Sequence, residues 1–252
     1  MFKGFGLLHK TDFAEIDAVR LWSIRDGYAE GKFGSKVIRV PTRPFCGEIG
    51  VARREDGAHS ASTSLPLSLS LSPCAIPSTV RNELRSRSKS VPPYSTGGNI
   101  DTKHITAGTR IILPIAVPGA LVSLGDGHAL QGDGEVCGSA IETPVKVRVR
   151  LNLLPSSSLP YTIRQPQYTT PPELQVHELE RDGFHTTMGI APNYLEAAEM
   201  AVRYMIEYMC GVASEGGIRK EDAYMLCSVM GDLHACEVVD MPNYAVGFRM
   251  PE

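Results

Sequence analysis

Between residues 110 and 154 one pattern recurs: short, β-branched and aliphatic runs, RIILPIAV, ALVSL, EVCGSAI and KVRVRLNLL, separated by proline and glycine. Runs this short do not make a packed helix, and the breakers between them supply chain reversals. Such a chain satisfies its backbone by pairing neighbouring runs, so the pattern predicts antiparallel sheets. The first 61 residues read the same way. In FGSKVIRVPTRPF the β-branched run is limited by Pro41 and Pro44, which places it at a sheet edge or a strand ending. The expected fold class is therefore mainly β, with β-sandwich-like antiparallel sheets.

Residues 154–176 are rich in Pro, Ser and Thr and read as an extended connection; beyond them the period changes. In APNYLEAAEMAVRYMIEYMCG, residues Leu195, Ala198, Val202, Met205, Ile206 and Met209 fall three or four apart, which predicts one helical face. Asn193 with Glu196 fits a capping box, and Gly211 fits the exit. A shorter helix is expected in RKEDAYMLCSVM, and CEVVDMPNYAVGFRM reads as two strands around a Pro-Asn turn. The end of the chain is thus a C-terminal α+β unit of two helices and a β return.

One block fits neither period. TSLPLSLSLSPCAIPSTVRNELRSRSK, Thr63 to Lys89, has a small vocabulary and several prolines, and buries too little to offset its chain entropy. Four regions follow: a β-rich N-terminal part over 1–61, a low-complexity, disordered insertion over 62–89, a β-rich region over 90–176 and the α+β unit over 177–252.

Charge narrows the partners. With 25 Lys and Arg against 28 Asp and Glu, the net charge is -3, and no basic field marks a nucleic-acid or anionic-membrane binder. The apolar run IILPIAV, broken by Pro114, falls far short of the ~20 residues of a membrane helix. The start MFKGFGLLHKTDF lacks an apolar leader with a cleavage site, and the six cysteines show no CxxC pair. Reduced thiols and a cytoplasmic location are expected.

The chemistry-bearing stretch is GALVSLGDGHALQGDGEVCG at 119–138, where Asp126, His128, Gln131, Asp133, Glu135 and Cys137 stand between six glycines. Gly-Asp and Asp-Gly pairs commonly form hairpin turns. A histidine, three carboxylates and a cysteine within so few residues also offer acid, base or metal-ligand groups. Upstream, GGNIDTKH repeats the grammar with Asn99, Asp101, Lys103 and His104; in a strand, Asp101 and Lys103 would share one face and Thr102 and His104 the other.

The stretch GGNIDTKHITAGTRIILPIAVPGALVSLGDGHALQGDGEVCGSAIETP resembles the signature region of the acetamidase/formamidase family. GFGLLHKTDF, IRVPTRPFCGEIGVA and EDGAHS before it, and EDAYMLCSVMGDLHACEVVDMPN after it, follow the family's order. The resemblance implies hydrolysis of the C–N bond of small linear amides, such as formamide and acetamide, to a carboxylate and ammonia. It also implies relatives that extend beyond Met1 with further β structure, and a short loop where residues 62–89 stand as an unrelated insertion.

Amide hydrolysis needs a strong nucleophile, a stabilised oxyanion and a protonated leaving nitrogen. The family match and the residue types suggest a water held by a divalent metal ion, zinc or calcium, with Asp101 and His128 among its ligands and Glu135 as proton shuttle. Asn99, Gln131 and Lys103 are the candidate substrate-binding residues, while Asp126 and Asp133 are expected to shape the turns and His104 to be structural. A competing mechanism uses Cys137 as nucleophile with Glu135 or Lys103 as base, against the plainer expectation of a small buried Cys137. A different class of function is an inactive family remnant serving as a structural or interaction protein. Exposed β edges leave self-association open.

Overall fold

In the computed structural model, residues 6–15, 18–53, 92–172, 183–212 and 217–251 are described. The expectation of disorder over 62–89, and the turn holding His59, lie outside the described residues. The strands are β1 (Trp22–Arg25), β2 (Tyr28–Phe33), β3 (Lys36–Pro41), β4 (Phe45–Gly50), β5 (Pro93–Tyr94), β6 (Gly97–Asn99), β7 (Arg110–Ile112), β8 (Ser123–His128), β9 (Gln167–Thr169), β10 (Phe184–Ala191), β11 (Asp232–Glu237) and β12 (Tyr244–Pro251). The helices are α1 (Tyr194–Val212) and α2 (Lys220–Met230).

These strands form three sheets, β1-β2-β3, β5-β6-β4-β8 and β11-β12-β10-β9-β7, in which neighbouring strands pair antiparallel. The mainly β expectation with two C-terminal helices and a β return is what is observed. Among the described residues β3 pairs only with β2, an edge position in keeping with Pro41.

β10 explains the layering. Every residue of FHTTMGIA is buried, because both faces of this strand are covered. Phe184, Met188 and Ile190 meet Ile49 and Ile100 from the four-stranded side, together with Tyr168, Cys236 and Ala245. The alternate residues face α1: Thr187 Oγ1 donates to the Ala201 carbonyl at 2.8 Å, and His185 stacks on Tyr208. At Gly189 a Cβ would come within 2.7 Å of the Ala201 nitrogen and strike the Ala197 carbonyl, so only glycine lets helix and strand approach this closely. Ala197, Ala198, Ala201 and Met205 form the buried face of α1.

The N-cap of α1 is as expected, with Asn193 Oδ1 accepting from the Leu195 and Glu196 nitrogens at 2.9 and 3.2 Å. Two details differ. Leu195 is 67% exposed, since the small Ala197 and Ala198 take the strand-facing positions. Gly211 lies inside the helix, where it leaves room for the Tyr161 ring, and the helix runs on to Val212.

Three strand expectations give way in the 110–154 region. ALVSL starts as a turn, with Ala120 and Leu121 at φ +55° and +57°, and pairing begins only at Ser123. EVCGSAI is turn and loop, anchored by Glu135 at φ +45°. KVRVRLNLL alternates as a strand would, yet no described strand pairs with it, and Val147, Val149, Leu151 and Leu153 are exposed. Among the described residues no helix is long and apolar enough to cross a membrane.

Candidate active site

The site assembles against Gly47, in the middle of β4. Its bare Cα faces three side chains: a Cβ there would come within 2.9 Å of Asp126 Oδ2 and of His128 Cε1, and would collide with Asp101 Oδ1. Local folding brings each group to this point. The Gly47 carbonyl accepts from the backbone nitrogens of Ile100 and Asp101, both at 3.1 Å, and so pins the loop after β6. β8 pairs with β4, which delivers Asp126 and His128, and the Phe45 ring meets the imidazole edge to face at 4.9 Å between centroids. The loop carrying Glu135 is tied to β11, the Gly134 nitrogen donating to the Cys236 carbonyl at 3.2 Å. Residues 139–143 lie along β8, held by the Thr143 nitrogen on the Gly127 carbonyl at 2.7 Å, and present Glu142. Asp101, Asp126 and Glu135 sit at φ +39°, +54° and +45°, a left-handed conformation that non-glycine residues adopt only where the surroundings enforce it.

His128 is fully buried and has two different sides. Its Nδ1 is 2.8 Å from Gln131 Oε1, and Gln131 Nε2 donates to the Asp101 carbonyl oxygen at 2.6 Å. Its Nε2 lies 3.2 Å from both Asp126 Oδ1 and Glu142 Oε2, yet neither contact has hydrogen-bond alignment. Both carboxylate oxygens of the fully buried Asp101 also lack a hydrogen-bond partner among the described residues. Orphaned buried acceptors are costly and call for an explanation.

Crowding of acids in a buried place shifts their ionisation. Burial, then the charges of Glu135 and Asp126, hold Asp101 well above the usual carboxylate range. Burial pushes Glu135 up to about 8; the His128 charge opposes that rise, and Asp240, Glu142 and Asp126 add to it. Asp240 is raised by burial, while Asn99 Nδ2, donating to it at 2.5 Å, works the other way. For His128, burial pulls the pKa down, but Asp126 and Glu142 beside Nε2 prevail and push it up to about 11.

The structure thus brings Asp101, His128 and Glu135 together, with Gln131 wedged behind the imidazole. Asn99 stands at the rim, bonded to Asp240. Lys103 points to Asp133 in a half-exposed ion pair of 2.8 Å. Cys137 is exposed, and its thiol donates to the Ser139 carbonyl at 3.3 Å. It is neither a small buried residue nor on a strand face shared with Glu135, because the Glu135 turn sends one side chain inward and the other outward. His104 is buried behind the site, where its Nδ1 and Thr102 Oγ1 meet the Tyr168 hydroxyl at 3.1 and 3.0 Å. Burial, then the neighbouring His234 imidazole and the Lys103 ammonium, push His104 down to about 2, so it stays a neutral structural group.

Residue types and spacing do not point to a site role for four acids. Asp126 was assigned to turn shaping but faces His128. Glu142 arrives from a loop, and Asp240 arrives from the connection after β11. Glu237 is fully buried and turns that connection by accepting from the Val239 and Asp240 nitrogens at 2.9 and 2.8 Å. The spacing of Glu237 and Asp240 in CEVVDMPN was the available signal for the last two.

Asp101, His128 and Glu135 offer one ligand atom each within 4.8 Å of one another, all from buried residues, and Asp126, His128 and Glu142 do so from a more open side. Nitrogen and carboxylate donors in this number suit a divalent cation, and the orphaned oxygens of Asp101 and Nε2 of His128 are what such an ion would satisfy.

Comparison with known proteins agrees with the geometry. The sequence matches the acetamidase/formamidase family over residues 2–252. The formamidase of Methylophilus methylotrophus is 27% identical over 174 residues, 65% of this chain and 41% of that protein. The acetamidase of Mycolicibacterium smegmatis is 46% identical over 68 residues, 26% of this chain and 16% of that protein. The crystal structure of an acetamidase from Bacillus halodurans shares the fold, with a TM-score of 0.64 at 24% identity, covering 98% of this chain and 65% of the other. The matched region spans about two-fifths or less of the length of these curated relatives. A match that runs nearly end to end, over a fold and a cluster of acids that the same residues build, makes this chain a member of the acetamidase/formamidase family.

Proposed function

We propose that the chain hydrolyses small linear amides, formamide and acetamide, to a carboxylate and ammonia, using a water activated at the Asp101–His128–Glu135 cluster. The observation that carries this is the set of buried, unsatisfied donor atoms against Gly47: both Asp101 oxygens and His128 Nε2. Asp101 and His128 would hold a divalent cation, which when bound supplies Lewis-acid polarisation of the amide oxygen and a more acidic water. An imidazole among the ligands favours zinc over calcium, which prefers an all-oxygen shell.

The protein's own groups do the rest. Glu135, with its pKa pushed to about 8, can take a proton as carboxylate and return it as carboxylic acid near neutral pH, which is what departure of the amide nitrogen requires. Asn99, at the rim, keeps its amide oxygen for a substrate N–H. Gln131 and Lys103 are engaged with His128 and Asp133. The thiol alternative is disfavoured by the exposed position of Cys137.

The direct test is ammonia release from formamide and acetamide by the full chain, with and without a chelator, beside a metal assay. Activity that survives chelation in protein free of zinc and calcium refutes the cation. A cooperative melt with no ammonia release under any metal condition points instead to an inactive structural relative.

A further inference from the structure

We propose that Gln131 is a positioning residue that sets the tautomer of His128, so that the imidazole offers Nε2 to a divalent cation held between the carboxylates of Asp126 and Glu142. The inference rests on the preceding functional reading and says which nitrogen, and which acids, serve it. Two donor sets share His128, and an imidazole with one proton has one lone pair to give.

The hydrogen bonds decide which. A backbone carbonyl only accepts, so the amide NH2 of Gln131 must face the Asp101 oxygen at 2.6 Å. That orientation turns Oε1 of Gln131 to His128 Nδ1, at 2.8 Å. Oε1 also only accepts, so Nδ1 carries hydrogen and cannot ligate. Nε2 is then the nitrogen that yields its proton to a cation; it is fully buried, has no hydrogen-bond partner among the described residues and is aimed between Asp126 Oδ1 and Glu142 Oε2 at 3.2 Å each. Asp101 stands on the other side of the ring, its Oδ1 3.8 Å from Nδ1, in the donor set it shares with Glu135. Fixing a ligand's tautomer through its other nitrogen is the usual way a protein orients a metal-binding histidine.

The test strips the full chain with a chelator and titrates it with zinc by calorimetry, then reads the histidine nitrogens by 15N NMR in the zinc-loaded protein. The expected result is a proton on His128 Nδ1 and zinc on Nε2. Gln131→Leu, which removes the acceptor, should weaken zinc about 10- to 100-fold. Gln131→Glu, whose carboxyl can accept from Nδ1 and, when protonated, donate to the Asp101 carbonyl, should keep affinity within a few-fold of the parent at the pH where it is protonated. Asp126→Asn should weaken zinc as well. Zinc on Nδ1, or equal affinity losses in Gln131→Leu and Gln131→Glu, overturns the proposal while leaving the cation reading standing. A parent chain that binds no zinc overturns both.

Discussion

Gly47→Ala tests the site with a single methyl group. Gly47 lies in the regular part of β4, where alanine is conformationally acceptable, so the substitution acts through space and not through backbone strain. The new Cβ would stand 2.9 Å from Asp126 Oδ2 and His128 Cε1, against a comfortable separation of ~3.5 Å, so both must retreat by about 0.6 Å and Asp101 by more. Overpacking of this kind costs about 1–3 kcal/mol, partly offset by about 0.4–1 kcal/mol from the stiffer unfolded chain, which leaves a modest net destabilisation. Function should suffer more. Misplacing reacting groups by ~1 Å costs about 100-fold in rate, equivalent to about 2.7 kcal/mol of barrier, and the same methyl fills the space a cation would enter. The assay pairs ammonia release from formamide with zinc calorimetry and a urea melt on the same preparation. A folded Gly47→Ala protein that retains zinc affinity and turnover within a few-fold of the parent would show that the pocket against Gly47 is not where the chemistry happens.

Three further outcomes are expected. Burial raises Glu135 and Glu237 to about 8 and Glu48 to about 7 from an ordinary 4.5, so the folded chain holds protons that the unfolded chain releases. Their contribution is complete below pH 4.5 and lost as pH rises through 7 to 8; above pH 7 the buried His104, His185 and His234 are neutral in both states, so melts in chelator should show stability falling from pH 7 to 8.5, and a stability that rises over that window would contradict the burial of these acids. Gly189→Ala forces a methyl into the α1 backbone at Ala197 and should destabilise by at least about 1–3 kcal/mol in urea denaturation, with a neutral result ruling out the close seating of α1 on β10. Cys137→Ala removes an exposed thiol and should leave ammonia release unchanged within two-fold; abolished turnover would restore the thiol mechanism.

Some of this protein is written locally. The Asn193 cap, the presence of α1, the edge position of β3 and the β return after α2 follow from spacing, capping chemistry and proline, which act between residues close in the chain. The clustering of Asp101, His128 and Glu135 was also visible as residue types between glycines. Where local pattern failed, the missing term was a distant partner. KVRVRLNLL alternates well enough to be a strand, but alternation assigns faces and does not supply a neighbour to pair with. EVCGSAI bends because the Glu135 loop is drawn to β11, a contact across about a hundred residues of chain that no window contains. Asp240 comes to the site from the connection after β11, while residues 139–143 along β8 bring Glu142 and the pairing of β8 with β4 delivers Asp126. Sequence alone determined which chemical groups this chain has to offer; tertiary structure decided which of them share one buried pocket, because the desolvation and mutual repulsion that give these acids their chemistry exist only once the distant loops have met.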